Sequence, residues 1–119
     1  MPKLIVLVHS DEQFTSAVAS ALAVRGHDVI TFAESMPAID ALEGDRRPDM
    51  LITRTQFPPD NPTGLSIARM AQMKCPGIKV LITGQPLLSE FAEGIGEFHP
   101  HPVDVPRLLD SVERKLALD

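Results

Sequence analysis

Four places in the sequence carry polar side chains that could bind an anion, each at or just after the end of a segment of strand length. They are His9 and Ser10, Arg54, Thr83 and His101. Guanidinium, hydroxyl and imidazole groups donate hydrogen bonds to phosphate and carboxylate oxygens. Together these side chains would line a cationic cup for a small anion. The simpler expectation is that Arg54 forms an ion pair with Asp11 or Asp60 and holds the region in one state.

Other chemistries that these residue types allow have little support. Histidine is a common zinc ligand, but His9, His99 and His101 lack the spacing of an HxxxH motif, and no CxxC pair is present. A nucleophilic Ser10 would need a base held against it, and the sequence has no GxSxG motif. His27 lies in a predicted turn and is expected to be solvated. We therefore expect no catalytic, metal-binding or cofactor-binding residues and no enzymatic activity.

Composition and charge exclude several classes of partner. The 119 residues carry a formal net charge of −5, and no basic cluster is longer than the pair Arg46–Arg47. Nucleic-acid binding requires a concentrated basic face. No apolar run reaches about 18 residues, the length that spans a bilayer, and the start of the sequence lacks the features of a secretory signal. The single Cys75 suits a reducing compartment. We expect a cytoplasmic protein that binds neither nucleic acid nor membranes.

Apolar, strand-like segments alternate five times with segments of helical periodicity. The predicted strands are Leu4–Val8, Asp28–Phe32, Asp49–Thr53, Ile78–Thr83 and Glu97–Pro100. The predicted helices follow Ser10, begin at Ser35 or Met36, and span Gly64–Met73, Leu87–Ile95 and Pro106–Leu118. Ser10 and Gln13 fit a capping box at the start of the first helix, and Gly26 marks its end. This alternation predicts a single α/β domain over residues 1–119, with a parallel sheet covered by helices on both faces.

Several short motifs resemble, in order and spacing, those of response-regulator receiver domains. Residues 26–31 are similar to the second strand of receivers, and residues 47–54 to the Pro-Asp-hydrophobic run that ends in their phosphorylated aspartate. Residues 82–84 resemble the end of their fourth strand, and His101-Pro102 resembles their Lys-Pro pair. The resemblance implies a flavodoxin-like (βα)5 three-layer sandwich with parallel strand order 2-1-3-4-5. It also implies a bacterial, stand-alone receiver-like domain without an output domain.

The resemblance places the polar residues at the strand ends in the positions of the receiver phosphorylation site. His9 and Ser10 stand where receivers carry acidic magnesium ligands. Arg54 stands in place of the phospho-acceptor aspartate, and His101 in place of a lysine. Thr83 alone retains the residue type of its position. These five residues therefore form a degenerate receiver site.

The resemblance also implies a switch and a backbone feature. Thr83 and Phe98 occupy the positions of the hydroxyl and aromatic residues that move together when receivers switch, and Pro102 that of their cis-proline. The implied partner surface is the face formed by the fourth helix, the fifth strand and the last helix. A homodimer is an open alternative to a different protein partner.

An arginine at the acceptor position predicts a receiver that cannot be phosphorylated. The guanidinium of Arg54 cannot form an acyl phosphate. It also repels Mg²⁺, because two unit charges about 4 Å apart cost roughly 4 kcal/mol at an effective dielectric of about 20, and a divalent ion about twice that. We therefore expect a pseudo-receiver in two-component or phosphorelay signalling that acts by phosphorylation-independent protein–protein interaction. The alternative is a sensor that binds a small anion at the cationic rim around Arg54.

Overall fold

Five short segments form one parallel β-sheet in the computed structural model, which describes residues 3–117. The strands are β1 (Leu4–Val8), β2 (Asp28–Phe32), β3 (Met50–Arg54), β4 (Lys79–Gly84) and β5 (Glu97–Pro100). Their order, β2-β1-β3-β4-β5, confirms the predicted one, and the pairings are parallel. Strands β3 and β4 lie one residue later than predicted. Asp49 precedes β3, and its carboxylate accepts the backbone N–H of Leu4 at 2.8 Å.

Within residues 3–117, four α-helices and one 3₁₀ helix connect and follow the strands. The α-helices are α1 (Glu12–Val24), α2 (Ser35–Leu42), α3 (Gly64–Lys74) and α4 (Val105–Leu116). The segment Pro86–Ala92 is a 3₁₀ helix where an α-helix over Leu87–Ile95 was predicted. A segment of seven residues can form only a few α-helical i→i+4 hydrogen bonds, and short segments often form a 3₁₀ helix instead. The predicted end of the last helix, Leu118, lies outside the described residues. No helix within residues 3–117 is long and apolar enough to cross a membrane.

Side chains of the sheet alternate between two apolar cores, because successive residues of a strand point to opposite faces. One core, the α1/α4 face, contains Ile5, Leu7, Met50, Ile52 and Leu81 with side chains from α1 and α4. The other, the α2/α3 face, contains Val6, Val8, Leu51, Val80 and Ile82 with side chains from α2 and α3. Helices thus cover the sheet on both sides, which confirms the three-layer sandwich.

One imidazole that we expected to be solvated lies at the contact between α4 and the turn after α1. Nε2 of His27 lies 3.0 Å from Oε1 of Glu113, and the His27 side chain is only 11% exposed. The expectation was wrong because α4 lies beside this turn, and the bonded residue is 86 positions away in sequence. The preceding Gly26 has a positive φ of 89° and ends α1 as predicted.

The first helix is capped by Asp11 and not, as predicted, by Ser10. Oδ1 of Asp11 accepts hydrogen bonds from the backbone N–H groups of Gln13 at 3.0 Å and Phe14 at 3.2 Å. Ser10 is exposed and accepts a hydrogen bond from Arg54. Serine and aspartate are comparable N-cap residues, so the sequence alone could not choose between these neighbours.

The replacement Asp11→Ala is expected to lower the free energy of unfolding by about 1 kcal/mol, because two N–H groups of the first turn lose their acceptor. Ser10→Ala is the matched control, and it should cost less than about 0.5 kcal/mol, as is usual for an exposed position. Urea denaturation of both variants measures the difference. Equal losses for the two variants would contradict the assignment of the cap.

Candidate functional site

The polar residues at the strand ends lie on one face of the sheet, at its carboxyl edge. Arg54 at the end of β3 is in register with Thr83 on β4, and His9 follows β1, the other neighbour of β3. Because side chains alternate along a strand, His9, Arg54 and Thr83 all continue the α1/α4 face. His101 follows β5, and its backbone N–H donates to the carbonyl of Gly84 at 2.8 Å. The fold thus brings together residues from four separate parts of the chain.

Arg54 is held by a hydrogen bond rather than by an ion pair. Its Nη1 donates to Oγ of Ser10 at 2.6 Å. Within residues 3–117, no carboxylate oxygen of Asp11 or Asp60 lies within 4.0 Å of a guanidinium nitrogen of Arg54. The expected salt bridge is therefore not formed. No carboxylate in direct contact neutralises the guanidinium charge, and this charge lowers the pKa of the neighbouring imidazoles of His9 and His101.

His9 is a buried, neutral imidazole whose tautomer follows from its hydrogen bond. It is 5% exposed, and its Nδ1 accepts the backbone N–H of Asp11 at 3.1 Å, so the ring proton resides on Nε2. The pKa of His9 is lowered to about 4, mainly by burial and further by the positive charges of Arg54 and a protonated His101, while Asp11 opposes the shift. The ring also packs on Phe14 at a centroid distance of 4.3 Å. His9 therefore offers an N–H donor and no charge at neutral pH.

His101 and Thr83 contribute two further polar atoms that have no hydrogen-bond partner in the described part of the chain. The ring of His101 lies 5.8 Å from that of His9, measured between centroids. Burial lowers the pKa of His101, and Arg54 lowers it further, whereas Asp11 raises it. The atoms without a partner are Nε2 of both histidines and the hydroxyl of Thr83. The edge therefore combines one fixed positive charge with neutral, unsatisfied polar groups.

Replacing Arg54 by glutamine should raise the pKa of both His9 and His101, because the neighbouring cation that disfavours their protonation is removed. The pKa of His9 should remain below 6.5, since burial is the larger cause of its shift. Titration of the imidazole C–H signals by NMR measures both values. Arg25→Gln, a change at the end of α1, is the control and should leave them unchanged. Unaltered pKa values in the Arg54 variant would contradict this electrostatic description.

The described residues do not provide the carboxylate cluster on which magnesium binding depends. In residues 3–117, no three His, Cys, Asp or Glu side chains are grouped so that they could hold a metal ion. His99 does not join His9 and His101, because its Nε2 bonds to Oε2 of Glu97 at 2.7 Å. Hard cations require several oxygen ligands, whereas this edge presents donors and positive charge. Its composition suits an anion.

The two residues expected to act as a switch lie on opposite sides of the sheet. The side chain of Thr83 is fully buried, on the α1/α4 face. Phe98 is half-buried and packs against the α2/α3 core, beside Gly84. The peptide bond between His101 and Pro102 is cis, as the resemblance implied. The coupled movement of Thr83 and Phe98 remains a prediction.

A cluster of polar residues between β5 and α4 was not anticipated from the sequence. Glu97 accepts a hydrogen bond from Arg114 at 2.7 Å and contacts His99. Burial opposes ionisation of Glu97, but hydrogen bonds from Ser111, Arg114 and His99 outweigh it and lower the pKa of this carboxyl to about 2. The cluster lines a groove of about 550 Å³. No local pattern signals it, because its members come from two elements whose packing decides their contact.

Comparison with known proteins establishes the fold. No protein-family model and no curated protein matches the sequence. A response regulator receiver protein from Sinorhizobium medicae WSM419 superposes with a TM-score of 0.86 at 19% identity, over 98% of this chain and 95% of that one. A CheY-like response regulator receiver domain protein from Methanospirillum hungatei JF-1 gives 0.85 at 20% identity, over 98% and 95%. The chain has the receiver fold.

A third receiver structure extends the likeness. The response regulator receiver domain protein from Clostridium thermocellum superposes with a TM-score of 0.82 at 20% identity, over 97% of this chain and 94% of that one. Each superposition covers nearly all of both chains, so the receiver fold accounts for the whole described sheet and its helices. At these identities the likeness concerns the fold alone, and the chemistry of the edge must be argued from its own residues.

Proposed function

We propose that this protein is a signalling domain of receiver fold that acts by phosphorylation-independent protein–protein interaction, without catalytic activity or a cofactor. The observation that carries the proposal is Arg54 at the end of β3. Acyl-phosphate formation needs a carboxylate nucleophile, and here the strand end supplies a cation that also repels magnesium. The setting that fits is bacterial two-component or phosphorelay signalling in the cytoplasm.

Two other aspartates, Asp11 and Asp49, are poor substitutes for the missing nucleophile. Oδ1 of Asp11 accepts two backbone N–H groups at the start of α1, and its neighbour Arg54 disfavours a metal ion beside it. Asp49 precedes β3 and bonds to the first residue of β1, so it lies at the amino edge of the sheet. Neither carboxylate stands at the end of a central strand with acidic partners around it. Phosphoryl transfer to this chain is therefore not expected.

The proposed partner surface is the 3₁₀ helix together with β5 and α4. Leu87 and Phe91 on the 3₁₀ helix are 84% and 55% exposed, and large apolar side chains exposed on one short element are candidates for an interaction surface. Strand β5 is the edge of the sheet, and the groove that it forms with α4 is lined by polar residues including Arg107 and Arg114. An apolar patch beside a polar, charged groove is the composition of a protein-binding face.

Affinity capture from the encoding organism tests this surface. The double variant Leu87→Glu/Phe91→Glu should capture about tenfold less partner than wild type, or less still. Removing two apolar anchors and inserting charge costs more than about 1.4 kcal/mol of binding free energy. The matched control is Val24→Glu/Met73→Glu, which changes two residues that are 87% and 84% exposed on α1 and α3. This control should capture the partner as wild type does.

The same capture distinguishes the mechanism of the interaction. Adding acetyl phosphate and Mg²⁺ should leave the captured amount unchanged, and intact mass should show no phosphoryl adduct. Phosphodonor-dependent capture would overturn phosphorylation independence. Equal losses in both double variants would overturn the location of the surface. If the captured protein is a second copy of this chain, the partner is a homodimer through this face.

A further inference from the structure

Three buried polar atoms at the carboxyl edge of the sheet have no hydrogen-bond partner among residues 3–117. They are Nε2 of His9, the hydroxyl of Thr83 and Nε2 of His101. His9 is 5% exposed and Thr83 is fully buried. Leaving one such group unpaired costs about 1–3 kcal/mol. A species that bonds to them would remove that cost.

The charge beside these atoms indicates which species would bind. Arg54 carries a fixed positive charge, and a guanidinium has five N–H donors. In the described structure one side-chain acceptor, Oγ of Ser10, bonds to this group. His9 adds an Nε2–H donor, because its Nδ1 is an acceptor, and Thr83 adds a hydroxyl. Donors around one cation suit an oxyanion, whose oxygens accept several hydrogen bonds at once.

The space at this edge limits the size of the bound group. A pocket of about 50 Å³ lies between Arg54 and His101, with Thr55 and Gly84 in its wall. Neither His9 nor Thr83 lines it, so contact with their buried polar atoms requires a small movement of side chains at this edge. One water molecule takes up about 30 Å³ of liquid, so the pocket holds one compact group and not a nucleotide or sugar. The two imidazole rings, 5.8 Å apart between centroids, are close enough to contact the same small anion.

We propose that this edge binds a small oxyanion non-covalently, through the guanidinium of Arg54, the hydroxyl of Thr83, the Nε2–H of His9 and the imidazole of His101. Each donor comes from a different strand end or loop, so the bound anion would join β1, β3, β4 and the segment after β5. Asp11 is the opposing charge at this site, and its Oδ1 is already engaged by two backbone N–H groups. The inference does not depend on the partner surface proposed above.

Binding at this site would be coupled to proton uptake. Burial, and secondly the charge of Arg54, lower the pKa of both histidines, with Asp11 as the carboxylate that favours their protonation. An anion placed between them raises their pKa values, because an opposite charge stabilises the protonated form. Affinity should therefore increase as the pH falls below neutrality, by at most about tenfold per pH unit for each proton taken up.

Titration of the whole chain with sulfate, phosphate, formate and acetate at constant ionic strength tests the proposal. The melting temperature should rise saturably with at least one of these anions. The same anion should shift the Nε2–H signal of His9 in NMR spectra. Sulfate keeps its charge between pH 5 and 8, so any change of its affinity in this range reports protonation of the protein. Comparison of the tetrahedral with the planar anions identifies a phosphate-like or a carboxylate ligand.

Three variants make the outcome decisive. Arg54→Gln should abolish saturable binding, Thr83→Val should weaken it severalfold, and Arg25→Gln should leave it unchanged. Anions that raise the melting temperature no more than ionic strength does would overturn the proposal, as would equal binding by wild type and the Thr83 variant. Since neither site variant alters Leu87 or Phe91, capture of the protein partner reports on the proposed function separately.

Discussion

A variant in which aspartate replaces His9, Ser10 and Arg54 and lysine replaces His101 is expected to gain one phosphoryl group from acetyl phosphate and Mg²⁺, while wild type gains none. The strand ends already have the receiver arrangement, since Arg54 and Thr83 are in register on adjacent strands and His9 follows the neighbouring strand. The Thr83 hydroxyl would remain in its present place. What wild type lacks is negative oxygen to hold the metal and to attack phosphorus.

The electrostatic change in this variant is large. Exchanging the guanidinium at position 54 for a carboxylate turns a repulsion of Mg²⁺ into an attraction. The interaction energy between a unit charge and a divalent ion about 4 Å apart is roughly 8 kcal/mol at an effective dielectric of about 20. The carboxylate at position 9 would be buried, because His9 is 5% exposed, so Mg²⁺ should also stabilise the variant against unfolding. Intact mass spectrometry detects the adduct, and thermal unfolding with and without Mg²⁺ detects the metal.

Two partial variants separate the roles of the positions. Arg54→Asp alone should stay unmodified, because His9 and Ser10 supply no metal-binding carboxylates. The variant that changes positions 9, 10 and 101 but retains Arg54 should also stay unmodified, because it has no nucleophile. A folded, Mg²⁺-binding fourfold variant that takes no phosphoryl group would show that the edge no longer has receiver geometry. A phosphoryl adduct on wild type would overturn the proposed phosphorylation independence.

The fold and the location of the site could be predicted because both depend on strong, local patterns. The apolar run Leu4–Val8 coincides with β1, since a strand buried on both faces needs uninterrupted apolar sequence. The predicted strand Asp28–Phe32 coincides with β2, which lies at the edge of the sheet. Parallel strands end at the same edge, so Arg54 and Thr83 had to be neighbours once their strands were adjacent. Polar residues at strand ends therefore located the site before any contact was known.

The contacts within the site could not be predicted, because they depend on distances of a few ångström between distant residues. Arg54 bonds to Ser10 and not to Asp11 or Asp60, although all three are plausible acceptors in sequence. The tautomer of His9 follows from a backbone N–H two residues away, and only the turn geometry reveals it. Likewise, the pairing of His27 with Glu113 depends on how α4 packs.

The free energy of unfolding is expected to fall as the pH drops from neutrality toward 5, largely because of one imidazole. In the folded protein, burial and the nearby Arg54 lower the pKa of His9 from 6.5 to about 4. The unfolded chain therefore takes up a proton near pH 6.5, while the folded chain resists it until about pH 4. The stabilising contribution is complete above pH 6.5 and is lost between these values, by about 3 kcal/mol in total and about 2 kcal/mol by pH 5. His101, whose pKa is lowered too, adds to the loss.

Urea denaturation between about pH 8 and pH 5 measures this loss, and the range excludes the main carboxylate contribution. The pKa of Glu97 is lowered from 4.5 to about 2, so the stability that depends on this carboxylate is lost only below about pH 4.5. His9→Gln, which cannot take up a proton, should flatten the profile in this range, whereas the control Arg25→Gln, which leaves every imidazole in place, should retain the slope of wild type. A His9→Gln profile as steep as wild type would mean that His9 is not kept neutral by the fold. In that case the neutral donor on which anion binding relies would be absent as well.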